Sequence, residues 1–140
     1  MSTTVEGGQH VAIGAALRAA GGAAAVALVL NLTDRLVAGA LGADFQVTIS
    51  GTTQTVGAVM VTTMTLVPML LGAVALVVAS RWGRRGWDAV GWLGLALGVV
   101  SAVLPLTADA DAGTRVALAL MHLVAGVTWL VAVRAVAPTR

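Results

Sequence analysis

The chain is 140 residues long, 59% hydrophobic and 10% charged, with a formal net charge of +2 and no cysteine. A soluble domain of this size carries about 25% charged residues to coat its surface, so the composition excludes one and indicates a membrane protein. It also excludes a nucleic-acid binder, for which no basic face exists, and every disulfide, thiolate-metal or thiol-catalysis reading.

A membrane helix needs about 20 largely apolar residues. The first candidate offers two registers: residues 11–30, which bury Arg18 midway, or 19–41, which place Asp34 and Arg35 in the outer third. An arginine at mid-bilayer costs at least about 2.5 kcal/mol, whereas one near a helix end snorkels to the headgroups. The sequence therefore favours 19–41, with the helix itself starting near Val11. A cleaved signal peptide is not expected, because no small-x-small site precedes Asp34. The sequon at Asn31-Leu32-Thr33 falls inside the helix, out of reach of glycosylation.

The segment after it, residues 42–55, alternates Phe45, Val47 and Ile49 with Gln46, Thr48 and Ser50 before Gly51. Period two with a turn residue predicts a short β-hairpin. Uncharged runs then predict spans over residues 56–79, 89–106 and 116–133. The short links at residues 80–88 and 107–114 force antiparallel neighbours. The expected fold is an all-α integral membrane protein, an up-down-up-down four-helix transmembrane bundle with that hairpin outside.

Arginine placement gives the direction. Arg18, Arg81, Arg84, Arg85, Arg134 and Arg140 fall on one side of the spans, and Arg35 and Arg115 towards the other. By the positive-inside rule both termini are cytoplasmic in a multi-pass protein of the cell membrane. Trp82, Trp87 and Trp92 read as interfacial anchors at the inner end, with Trp129 deeper. The organisation is a cytoplasmic segment over 1–18, one transmembrane domain over 19–137 and a cytoplasmic tail over 138–140.

Packing in lipid depends on small residues that let backbones approach. Gly94, Gly98 and Ala102 form such a stripe on the third span, read first as packing inside the bundle and second as a dimer seam. Pro68 is expected to kink the second span and Pro105 to help end the third.

Counting inward at 1.5 Å per residue puts Arg35, Thr62, Ser101 and His122 roughly 8–9 Å below the outer boundary. Asn31, Asp34 and Arg35 share one helix face. Ionisable groups in spans are functional candidates because burying them is expensive, so Asn31, Asp34, Arg35, Thr62, Ser101 and His122 are the candidate lining of an outward-facing pocket. The competing view is a structural hydrogen-bond network in which Asp34 neutralises Arg35 and hydroxyls bond their own helix.

Met60 with Met64, and Met121 with His122, have spacings that suit copper or haem. Methionine is more often a gap-filler, and no metal or cofactor is expected. Paired carboxylates, HExxH, GxSxG and phosphate loops are missing from the sequence, so no enzyme is expected.

Asn31, the Leu41-Gly42-Ala43-Asp44-Phe45 exit, Leu66-Val67-Pro68 with Leu71-Gly72, Leu104-Pro105-Leu106-Thr107-Ala108 and Ala119-Leu120-Met121-His122-Leu123 together carry a resemblance. Over about residues 18–136 the chain resembles a family of small actinobacterial membrane proteins catalogued only as a domain of unknown function. The resemblance implies a four-helix bundle and no particular activity; Asn31, Pro68 and His122 match the family's pattern. The leading functional expectation is binding or conduction of a small molecule or ion through the polar layer. The rival is a structural or regulatory protein acting as a homo-oligomer or through partner contacts.

Overall fold

A computed structural model describes residues 3–137; the tail assigned to residues 138–140 lies outside them. The elements are α1 (Thr3–Ala40), β1 (Gln46–Ile49), β2 (Thr52–Thr55), α2 (Ala58–Ala79), a 3-10 turn at Ser80–Trp82, α3 (Gly83–Ser101), α4 (Val103–Leu106) and α5 (Ala112–Val136). The chain is thus mostly helical with one small sheet.

Among the described residues three helical stretches are long and apolar enough to cross a membrane: Ala12–Ala40, Ala58–Leu106 and Ala112–Val136. The expectation of four separate spans is corrected to this extent. Residues 80–88 do not form an open loop: the 3-10 turn joins α2 to α3 with no irregular residue between them. Gly83 ends that turn at φ 58, a left-handed conformation that favours glycine.

The third expected span, 89–106, is also redrawn. Its helix starts earlier, at Gly83, and breaks at Ala102 before the single turn of α4. Pro105 explains the break. Its ring clashes with the carbonyl four residues back, which belongs to Ser101, the last residue of α3.

The packing is small inside and large outside, as apolar solvent permits. α1 presents Ala15, Ala16, Ala19, Ala20, Ala23 and Ala27 to the core, all buried. Leu36, Val59, Leu70, Leu71 and Leu104 point outward and are exposed. α5 packs on both α1 and α3, and α2 packs on α1 and α3. Close approach is made by glycine. Gly72 on α2 and Gly94 on α3 both back onto the indole of Trp129, and Gly98 meets Gly126. The Trp129 Nε1–H donates to the Val90 carbonyl at 3.1 Å, which fixes the ring between those helices.

Trp82 and Trp92 are exposed, at 62% and 51%, but Trp87 is fully buried with the α1 alanines, Leu76 and Trp129. Its expected role as an interfacial anchor is corrected: that face of α3 turns into the bundle, and Trp87 fills space the alanine face leaves.

The hairpin is present, with Gln46 opposite Thr55 and Ile49 opposite Thr52. Ser50 and Gly51 form its two-residue loop at φ 51 and 80, and paired positive φ values match the right-handed twist of the strands. β1 is also bridged on its other side, where the Thr48 N–H donates to the Asp109 carbonyl at 2.9 Å. One sheet thus ties the end of α1 to the segment before α5.

Candidate functional site

The polar residues of the first span meet three different fates. Asn31 is 3% exposed, and its Nδ2 donates to the Thr65 hydroxyl on α2 at 3.0 Å. Its Oδ1 is buried without a partner. One turn on, Arg35 reaches out to the hairpin. Its Nε donates to the Val56 carbonyl at 3.0 Å, and its guanidinium lies 4.7 Å from the centre of the Phe45 ring. Asp34, next in sequence, does not pair with Arg35; among the described residues the one ion pair is Arg84–Asp88, at the opposite end of the bundle. The Asp34 Oδ2 is buried and has no hydrogen-bond partner.

The other expected lining residues are turned to their own helices. The Ser101 hydroxyl donates to the Leu97 carbonyl at 2.6 Å. His122 holds its Nδ1 against the Leu118 carbonyl at 2.7 Å; since a carbonyl only accepts, that nitrogen carries the proton. Thr62 lies half-buried one turn before Thr65, which is the residue that meets Asn31. Gly94, Gly98 and Ala102 face into the bundle, while Pro68 is exposed on the outer side of α2.

A clasp at the hairpin end holds these helices in place. Asp111 caps α5, accepting from the Thr114 N–H at 3.0 Å and from the Thr114 hydroxyl. That hydroxyl accepts in turn from the Phe45 N–H at 2.9 Å. Phe45 sits at φ 55, almost fully buried, and its carbonyl accepts from the Val56 N–H at 2.8 Å. The chain of contacts runs Asp111, Thr114, Phe45, Val56, Arg35, and joins α5, the hairpin and α1. The Thr114 hydroxyl, then its amide, holds the Asp111 carboxyl down at about 2.

Beside the clasp, a groove of about 450 Å³ opens between α1 and α5, lined by Asp34, Val37, Leu41, Ala43, Val116 and Leu120 among others. Asp34 alone of the six candidate lining residues reaches it. A second, apolar hollow of about 240 Å³ continues the same seam from Leu120 along Leu123, Val124 and Leu30. The walls are alkyl, the one acidic lining group is Asp34, farthest from the hairpin of the α1 lining residues, and Arg35 is held away from it. The surface is apolar apart from the Asp34 carboxyl.

No group of three or more His, Cys, Asp or Glu residues gathers among the described residues.

Phe45, Thr65, Asp111 and Thr114 are the residues that sequence reasoning did not place in the site. Asp111 with Thr114 three residues on carries a usable signal, that of a capped helix start. The groove walls carry none, because Val37, Leu41, Val116 and Leu120 have the spacing and chemistry of any lipid-facing position.

The chain belongs to a family of unknown function (DUF6069), which it matches over residues 11–139. That span takes in the clasp and the groove together. No curated protein and no solved structure matches the chain.

Proposed function

We propose that this family member is a non-enzymatic multi-pass protein of the cell membrane that binds a small molecule in the groove between α1 and α5. The observation that carries the reading is a groove whose one acidic side chain, Asp34, has a buried oxygen with no partner inside the protein. Buried polar atoms are nearly always satisfied, and an orphan beside an open hollow is one a ligand satisfies. Binding is favoured over conduction because Ser101 and His122 spend hydrogen bonds on their own helices and do not extend a polar route inward.

The chain crosses the bilayer four times in this reading. Trp129 touches both Gly72 and Gly94, which supports a stretch Ala58–Leu106 that doubles back at Ser80–Trp82, with α2 and α3 as separate crossings. Arg81, Arg84 and Arg85 at that turn favour a cytoplasmic position for it and for both termini, with the hairpin and groove outside. The rival reading, a structural or regulatory homo-oligomer, draws support from β2, whose residues are exposed along the whole strand.

A photoactivatable octyl probe, used on protein in lipid nanodiscs, tests the binding reading. Labels concentrated on residues 37–43 and 112–120 support it. Labels spread evenly over the lipid-facing surface would sink it, and crosslinking between copies at Gln54→Cys would favour the oligomer instead.

A further inference from the structure

We infer that the groove selects a small cationic amphiphile, an ammonium group on a short alkyl body, and this rests on the groove being a binding site as proposed above. The argument is one of charge and shape. Asp34 is the only acidic or basic residue that lines the hollow. The mouth is acidic as well. Asp44 and Asp111 are exposed, each is next in the chain to a lining residue, Ala43 or Ala112, and the Asp44 N–H reaches the Asp111 carboxylate at 3.4 Å.

The nearby arginines reduce this field without reversing it, since Asp34, Asp44, Asp109 and Asp111 stand at this end against Arg35 and Arg115. Arg35 is engaged with the Val56 carbonyl and the Phe45 ring. The Arg115 Nε donates to the Ala110 carbonyl at 2.8 Å, and its position on α5 points more than a quarter turn from the lining face. A cation entering from the hairpin end therefore meets two carboxylates at the mouth and a third at the floor, with no positive group between them.

Asp34 is the one polar side chain on the hollow and a carboxylate only accepts, so the ligand's polar head must donate; an ammonium brings three N–H donors and the opposite charge. Below it the walls are alkyl, and the seam continues from Leu120 into the second hollow, where the one polar residue, Thr128, spends its hydroxyl on the Val124 carbonyl. An alkyl chain follows that path. A hollow of about 450 Å³ is of the size that holds a small organic ligand.

The test uses the full chain in phosphatidylcholine nanodiscs, labelled octylamine as probe, and octan-1-ol and octanoate as competitors. Octylamine is expected to bind saturably, with octanol and octanoate at least about tenfold weaker, the effect of one charge-assisted hydrogen bond. Asp34→Asn should weaken octylamine about tenfold and leave octanol unchanged, with an unaltered melting curve showing that the variant is folded. Leu120→Trp, which fills the seam, should remove both. Octylamine and octanol binding equally, and both lost in Leu120→Trp, would overturn the ammonium selectivity while the groove reading stands. No saturable binding of any probe would overturn both. Loss of octylamine binding when phosphatidylethanolamine is added would assign the site to a lipid headgroup and overturn a free amphiphile.

Discussion

Gly98 of α3 and Gly126 of α5 face each other backbone to backbone: a Cβ on Gly98 would stand 2.9 Å from the Gly126 Cα, and one on Gly126 would stand 3.2 Å from the Gly98 Cα. Neither neighbour is a flexible side-chain end, so neither can yield. Gly98→Ala and Gly126→Ala should each destabilise the bundle by about 1–3 kcal/mol, the range for overpacking a close contact. Unfolding of the purified variants measures this, and melts that coincide with the parent would show that α3 and α5 separate freely.

The Trp129 indole occupies the places where a Cβ on Gly72 or Gly94 would be, so the two glycines are the mould and the ring is the cast. Gly94→Ala should destabilise the protein, and Trp129→Phe added to it should restore part of the loss by removing the ring that clashes. The double-mutant cycle gives a coupling of about 0.5–3 kcal/mol for residues in contact. Simple additivity would mean that the substitution acts elsewhere.

The clasp at Asp111 has a pH signature. A carboxyl held down at about 2 in the folded protein stabilises the fold fully above its ordinary value near 4, and that contribution fades as pH falls towards 2. Amide protection at Phe45, whose N–H ends on Thr114, should therefore hold at pH 5 and drop between pH 4 and about 2. Asp111→Asn should flatten the change in that window. Protection at Phe45 that is the same at both ends would place the clasp's strength elsewhere.

Ser50 carries φ 51 in the hairpin loop, a conformation that costs an ordinary residue roughly 1–2 kcal/mol and that asparagine tolerates better. Ser50→Asn should tighten the hairpin by up to about 1 kcal/mol, read as slower amide exchange in β1 and β2. Gly51→Ala, at φ 80, should do the reverse.

Much of this architecture is written in the sequence. The membrane-length helices follow from charge-free runs, and the hairpin follows from the alternation of Val47 and Ile49 with Thr48 ahead of Gly51. The polar layer was less legible for a geometric reason. The sequence sets the span ends at Val56 and Val116, whereas α2 begins at Ala58 and α5 at Ala112, so depths inferred from those ends are off by up to a turn. Depth alone does not say which face of a helix turns inward, so Thr62 reads as lining although Thr65 is the residue that meets Asn31. Trp87 beside three arginines has the sequence context of an interfacial anchor, and only the alanine face of α1, which leaves room for a large ring, puts it inside. The groove is invisible in sequence because its walls differ from lipid-facing positions only in what lies opposite them.

That alanine face has a mechanical consequence. A slip of α1 by four residues would carry Ala16 to the place of Ala20 and Ala23 to that of Ala27, one methyl for another, so this part of the rod is almost blind to its own alignment. Asn31 on Thr65 is the notch inside the helix pair that sets it, with Arg35 on Val56 fixing the end, much as one buried asparagine fixes the register of a coiled coil. Substitutions among the alanines change how tightly α1 is gripped; substitution at Asn31 and Arg35 together changes whether the grip has a unique position.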